Sequence, residues 1–200
     1  MRRYFIVSAI VCIALASSGS AEMNHQAWDT GSVNENLPGV RAFHEDKRPD
    51  MMPFAEAPNV EEVVEDSLFS DRGLDNYYAN LWGWVTIPKT GSYTWHLHAD
   101  NHTVLYVSTD ENWENVEEVA TINGWSNVGE WNGGANGGND ADSVPFTYSA
   151  GQVLAVWGTM VEGGGGDNLG IGWTMPGSST IEYLGENVSI IPPSPTKAGG

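Results

Sequence analysis

No stretch of the chain restricts its fold so severely as Glu162-Gly163-Gly164-Gly165-Gly166-Asp167-Asn168. Four consecutive glycines bring no side chains to a core and lose the most conformational entropy on folding. The tract lies between two strand-like apolar runs, yet it is longer than the two-residue turn that joins strands economically. A connection this pliant, ending in Asp-Asn, suits a backbone that wraps closely around something. A small hard cation held by carboxylate, amide and carbonyl oxygens fits that description.

The start of the chain reads as an export signal over residues 1–21. Arg2 and Arg3 make a basic head, residues 4–16 are almost wholly apolar, and Ser17-Ser18-Gly19-Ser20-Ala21 supplies the small residues at which such leaders are cut. The apolar run is short for a membrane-spanning helix, and no later stretch approaches the ~20 residues required. Membrane insertion is therefore not expected, and a secreted or cell-surface location is. Cys12, the only cysteine, falls inside this leader, so the exported domain must hold together without disulfides. The roughly 179 residues that remain suffice for one sizeable core.

Charge excludes further classes. Eight basic residues, two of them in the leader, stand against 26 acidic ones, for a net charge of −18. A surface this acidic repels nucleic acid and anionic membranes. It attracts cations, although a solvated acidic face needs no ligand to explain it.

Residues 22–68 are punctuated by Pro38, Pro49, Pro53 and Pro58 and read as an irregular lead-in belonging to the domain, with one short helical turn near 60–66. From residue 69 to 193 short runs rich in Val, Ile, Thr, Tyr and Trp alternate with turn clusters, the pattern of an all-β, antiparallel sandwich or barrel. Strands are expected over 81–87, 92–98, 103–108, 118–122, 143–148, 153–161, 169–174 and 187–191. Pro88-Lys89-Thr90-Gly91 is expected to make a tight hairpin between the first two. The second strand alternates, with Tyr93, Trp95 and Leu97 on one face and Thr94, His96 and His98 on the other. No useful helical pattern or internal repeat is evident. Residues 194–200 read as a linker-like tail.

Taken in order, Asp75-Asn76-Tyr77-Tyr78, Gly83-Trp84-Val85-Thr86-Ile87-Pro88 and Thr90-Gly91-Ser92-Tyr93-Thr94-Trp95 resemble the opening of the protective-antigen-type domain, a β-sandwich module named after the anthrax toxin component. Asp100-Asn101-His102 with the following strand resembles that family's acidic loop. The glycine tract and Gly172-Trp173-Thr174-Met175-Pro176-Gly177 resemble its closing strands. The resemblance extends from about Trp28 to Pro193. In the sugar-binding adhesins of that family, two neighbouring aspartates joined by a cis peptide grip a calcium ion. A loop between the last strands adds oxygens, and the ion takes two hydroxyls of a glycan. The resemblance thus implies Ca2+ as cofactor, with Asp100, Asn101, Asp167 and Asn168 as metal ligands and Glu162 and Gly166 in the ligand loop. Asn101 stands where those adhesins carry a second aspartate; an amide oxygen still ligates calcium but removes one negative charge.

Trp125 and Trp131 lie in a polar, glycine-rich stretch and are the aromatic rings expected to stack on a sugar face while staying half wet. Trp113 is a third candidate, and all three could instead lid the core. His96, His98, Asp100 and His102 share a two-residue spacing compatible with zinc or copper, but an outward polar face explains them more simply. The Gly133–Asp140 stretch is out of register with calcium-binding β-helix repeats. Glu111, Glu114, Glu117 and Glu118 include no pair that the sequence places across a cleft. No nucleophile elbow, zinc-protease motif or phosphate loop is present, so no enzymatic activity is expected. The expected function is an exported, calcium-dependent, lectin-like module binding vicinal hydroxyls of an extracellular glycan. The competing expectation is a non-catalytic structural or protein-interaction module of a surface assembly, with other extracellular proteins as partners.

Overall fold

The computed structural model describes residues 21–52, 54–70, 73–131, 136 and 140–192. Residues 1–20 of the expected signal, the tail and most of the Gly133–Asp140 stretch lie outside the described residues.

Twelve strands and one α-helix are found among the described residues. They run β1 (Glu22–Asp29), α1 (Leu37–Lys47), β2 (Val60–Glu65), β3 (Leu68–Ser70), β4 (Tyr77–Thr86), β5 (Gly91–Asp100) and β6 (Thr103–Val107). Then follow β7 (Glu117–Ile122), β8 (Phe146–Tyr148), β9 (Val153–Glu162), β10 (Asn168–Thr174), β11 (Ile181–Tyr183) and β12 (Val188–Ser189). They form two sheets. The larger has the order β2-β1-β4-β9-β6-β7, with β12 sharing the β1 edge of β4; the smaller has the order β11-β10-β5-β8, with β3 also on β10. Every pairing is antiparallel. The expected all-β sandwich is the fold.

Alternation builds the core. Tyr93, Trp95, Leu97 and Ala99 of β5 and Leu169, Ile171 and Trp173 of β10 point inward. They meet Ala79, Leu81 and Val85 of β4 and Leu154, Val156 and Met160 of β9. The larger sheet is apolar on its outer face too. Trp82, Val104, Tyr106, Trp157 and Val161 are buried there under Val40 of α1 and its flanking loops. A sheet covered on both sides reads as a continuous apolar run, which is why β9 shows no alternation in its sequence.

The lead-in departs from expectation. Residues 22–68 are not irregular: β1 is an internal strand between β2 and β4. Residues 60–65 form an edge strand rather than a helical turn. The helix α1 also went unread, because only Leu37, Val40 and Phe43 carry its apolar stripe and the rest is mixed. Local chemistry sets it all the same: the Asn36 side chain caps the helix by accepting from the Gly39 amide at 2.8 Å, and Pro38 sits in the first turn. His44 then lies flat on Tyr106, with ring centroids 3.9 Å apart.

The expected β4–β5 hairpin is also corrected. β4 pairs with β1, β9 and β12, whereas β5 pairs with β10 and β8. Pro88 to Thr90 therefore arch across the core from one sheet to the other. Leu81 and Val85 of β4 and Trp95 and Leu97 of β5 are buried in the one core between the sheets. Tyr93 donates its hydroxyl to the Lys89 carbonyl at 2.6 Å and so pins the arch.

Candidate functional site

Two further arches meet at the opposite pole of the sandwich. Asn101 and His102 carry the chain from β5 in the smaller sheet to β6 in the larger. Gly163 to Asp167 carry it back from β9 to β10. Register forces the arches together. Asp100 is paired with Asn168 across β5 and β10, Thr103 with Met160 across β6 and β9, and Tyr77 with Glu162 across β4 and β9. The two loops then bond directly: the Gly163 amide donates to the Asn101 side-chain oxygen at 3.1 Å. The Asp100–Asn101 peptide bond is cis.

The carboxylates at this pole form three levels. Glu162 is the floor. It lies on the core-facing side of β9, has 0% of its surface exposed, and neither carboxylate oxygen has a hydrogen-bond partner of good geometry. Burial, reinforced by the charges of Asp100 and Asp167, pushes its carboxyl up to about 8. Asp100 and Asp167 are the walls. Burial, with Asp167 nearby, pushes Asp100 up to about 6; Asp167 accepts from the Tyr77 hydroxyl at 2.8 Å. Glu35 and Asp75 are the rim, both exposed. Asp75 accepts from the Gly165 amide at 3.3 Å, and the Glu35 carboxylate occupies the space that a Cβ on Gly163 would need.

The other expected residues are placed as follows. Gly166 is exposed beside Asp100. Asn168 is buried, and its amide is already engaged. Its oxygen lies 2.7 Å from Nδ1 of His98, and its nitrogen donates to the Ser126 carbonyl at 3.0 Å. Trp125 is 40% exposed and its backbone joins that of Asp100 through an isolated antiparallel bridge, which sets the residue at this pole. Trp131 instead packs against His98 and Tyr183, at centroid distances of 4.6 and 5.1 Å. Trp113 is buried with Trp82 and Trp84 on the far face of the larger sheet.

His96 and His98 do not form an outward polar face. Both are buried, because Trp131, Asp142 and Tyr183 of β11 cover that side of the smaller sheet. His96 bonds to Asp142 and Thr174, at 2.6 and 2.8 Å. His98 lies between Asn168 and Tyr183, the latter at 2.7 Å. All four ring nitrogens are thus spent on protein partners. Among the described residues, no three His, Cys, Asp or Glu side chains are spaced to hold a metal ion by themselves. A cation at this pole would need amide and main-chain oxygens beside its carboxylates.

Sequence reasoning missed Glu35, Asp75 and Tyr77 as parts of the pole. Asp75 and Tyr77 sit in a motif already noted, immediately before a strand. Glu35 carries no local signal, since only the docking of α1 brings its loop here.

No family model matches the chain, and no curated protein matches it in sequence. Solved structures do. A PA14 sugar-binding domain from an RTX adhesin superposes with a TM-score of 0.57 at 15% identity, covering 86% of this chain and 98% of that one. The epithelial adhesin 9 A domain of Candida glabrata, solved with Galb1-4GlcNAc, gives 0.56 at 11%, covering 86% and 90%. An anti-sigma factor domain-containing protein from Clostridium clariflavum gives 0.54 at 12%, and the match spans 84% of this chain but only 47% of that one. The fold is that of PA14 domains.

Proposed function

We propose that the chain is a calcium-dependent carbohydrate-binding module, acting outside the cell or at its surface and recognising vicinal hydroxyls of a glycan. One observation carries the reading: Asp100, Asn101, Glu162 and Asp167 are brought to one pole by two sheet-to-sheet arches, with the exposed Trp125 beside them. The donors are hard oxygens, and Asp100 and Glu162 are charged only at a cost that a divalent cation would remove. Asp100, Asp167 and the Asn101 amide would hold Ca2+ together with carbonyls of the glycine tract. Asn168 would contribute through its main chain, since His98 claims its side-chain oxygen. The bound ion would supply Lewis-acid coordination of two sugar hydroxyls, with Trp125 stacking on the ring. A sugar-binding adhesin domain and an adhesin domain solved with a bound glycan, both of the same fold, support the reading.

The test is a glycan array run with millimolar calcium and again with chelator. Binding lost on chelation is the expected result. Equal binding in both removes calcium, and no binding in either removes the lectin. A second reading, a structural or protein-interaction module, draws on the loops' own hydrogen bonds. Gly163 already satisfies Asn101, and His98 satisfies Asn168, without any ion. A melting temperature raised by calcium but unmoved by any sugar would favour it.

A further inference from the structure

The pole carries more carboxylates than a single divalent ion neutralises. Glu35, Asp75, Asp100, Glu162 and Asp167 line one continuous strip along the glycine tract. Glu35 sits over Gly163 and Asp75 beside Gly164 and Gly165, with Asp100 by Gly166. The Glu162 carboxylate lies beneath them, fully buried and with no hydrogen-bond partner of good geometry, and Asp100, Asp167 and Glu35 all act on it electrostatically. Among the described residues the lysines and arginines are Arg41, Lys47, Arg48 and Lys89, and each is committed elsewhere. Arg41 pairs with Glu118 and Arg48 with Asp50. Lys47 lies against Trp28, Phe43 and Phe54, and Lys89 donates to the Pro176 carbonyl. The one basic group set against the strip is the half-buried His102 ring, whose pKa burial lowers although Glu35 raises it.

We infer that Glu35 and Asp75 form a subsite for a protonated amine, so that the glycans taken by this module are unacetylated amino sugars. The inference rests on the carbohydrate reading and deepens it. An ammonium group donates up to three hydrogen bonds and accepts none, which suits two exposed carboxylates set against successive glycines of one tract. Capping the amine as an amide removes its charge. A uronic acid puts a like charge against the rim and is repelled.

The test is calorimetry on the full chain at pH 6.5 in calcium, with three disaccharides: β-1,4-linked glucosamine, its N-acetylated counterpart and a uronic acid pair. The free amine should bind about tenfold more tightly than the acetylated sugar, and the uronic acid weakest. The E35Q/D75N variant should equalise amine and amide. E111Q/E114Q changes the net charge equally at the other end of β4 and should leave the preference intact. Equal affinities for amine and amide, a preference surviving E35Q/D75N, or one lost equally in E111Q/E114Q overturns the inference while leaving the lectin standing. Two calcium ions bound per chain without amine preference assigns the rim to a second cation and overturns it too. Binding of none of the three sugars, nor of any glycan on the array, removes the carbohydrate reading and this inference with it.

Discussion

An alanine at Gly170 would set its Cβ on the His98 ring, whereas one at Gly163 would set it on the Glu35 carboxylate. The consequences differ because the neighbours differ. His98 is buried and bonded on both nitrogens, so Gly170→Ala should cost about 1–3 kcal/mol in urea denaturation. Glu35 is the free end of an exposed side chain, so Gly163→Ala should fall within about 0.5 kcal/mol of the parent. A third prediction concerns His44. Burial, with Arg48 adding to it, lowers its ring to about 4 from an unfolded value of 6.5. The unfolded chain therefore takes up the proton first. The contribution is complete above pH 6.5 and is lost as pH falls from 6.5 to about 4, worth about 1–2 kcal/mol after allowing for partial exposure. Asp100 and Glu162 act with the opposite sign, losing stability as pH rises towards about 6 and about 8. Melting curves of the parent and His44→Phe across pH 4–7 isolate the effect, since Phe keeps the stack on Tyr106 but not the proton. A slope unchanged by the substitution refutes it.

At the scale of elements, the segment from Asn123 to Asp142 holds two tryptophans with different duties. Trp125 bridges to Asp100 and faces water; Trp131 lies over Gly172 and against His98. Trp125→Ala should weaken glycan binding at least about tenfold with a melting temperature unchanged. Trp131→Ala should lower stability by about 2–3 kcal/mol because it uncovers a buried face. Thermal melts beside sugar titrations separate the two. The sequence made the smaller sheet legible: β5 alternates cleanly, and its inward set is part of the core. It did not reveal β1 or β2, whose residues are too polar to announce strands until β4 offers an edge. Nor did it reveal that β4 and β5 part at Pro88, because a tight turn and an arch share the same residues. The burial of His96 and His98 was hidden for a related reason: their cover comes from residues far along the chain, and only the glycines opposite them in β10 leave it room. The convergence of the two loops was anticipated by resemblance; Glu35 was not, since its place depends on where α1 docks.

At the scale of the molecule, two sheets share one core while net charge of −18 works against compaction. Calcium at 100 times its dissociation constant should add about 2.7 kcal/mol, read as a rise in melting temperature that chelator reverses and Asp100→Asn abolishes. The lacing of Asn101 to Gly163 gives this pole a mechanical meaning. Each arch runs from one layer to the other in the opposite sense, so a load that slides the layers apart pulls on both spans at once. The mouth and the seam between the layers are one joint, and whatever grips a partner there also resists shear.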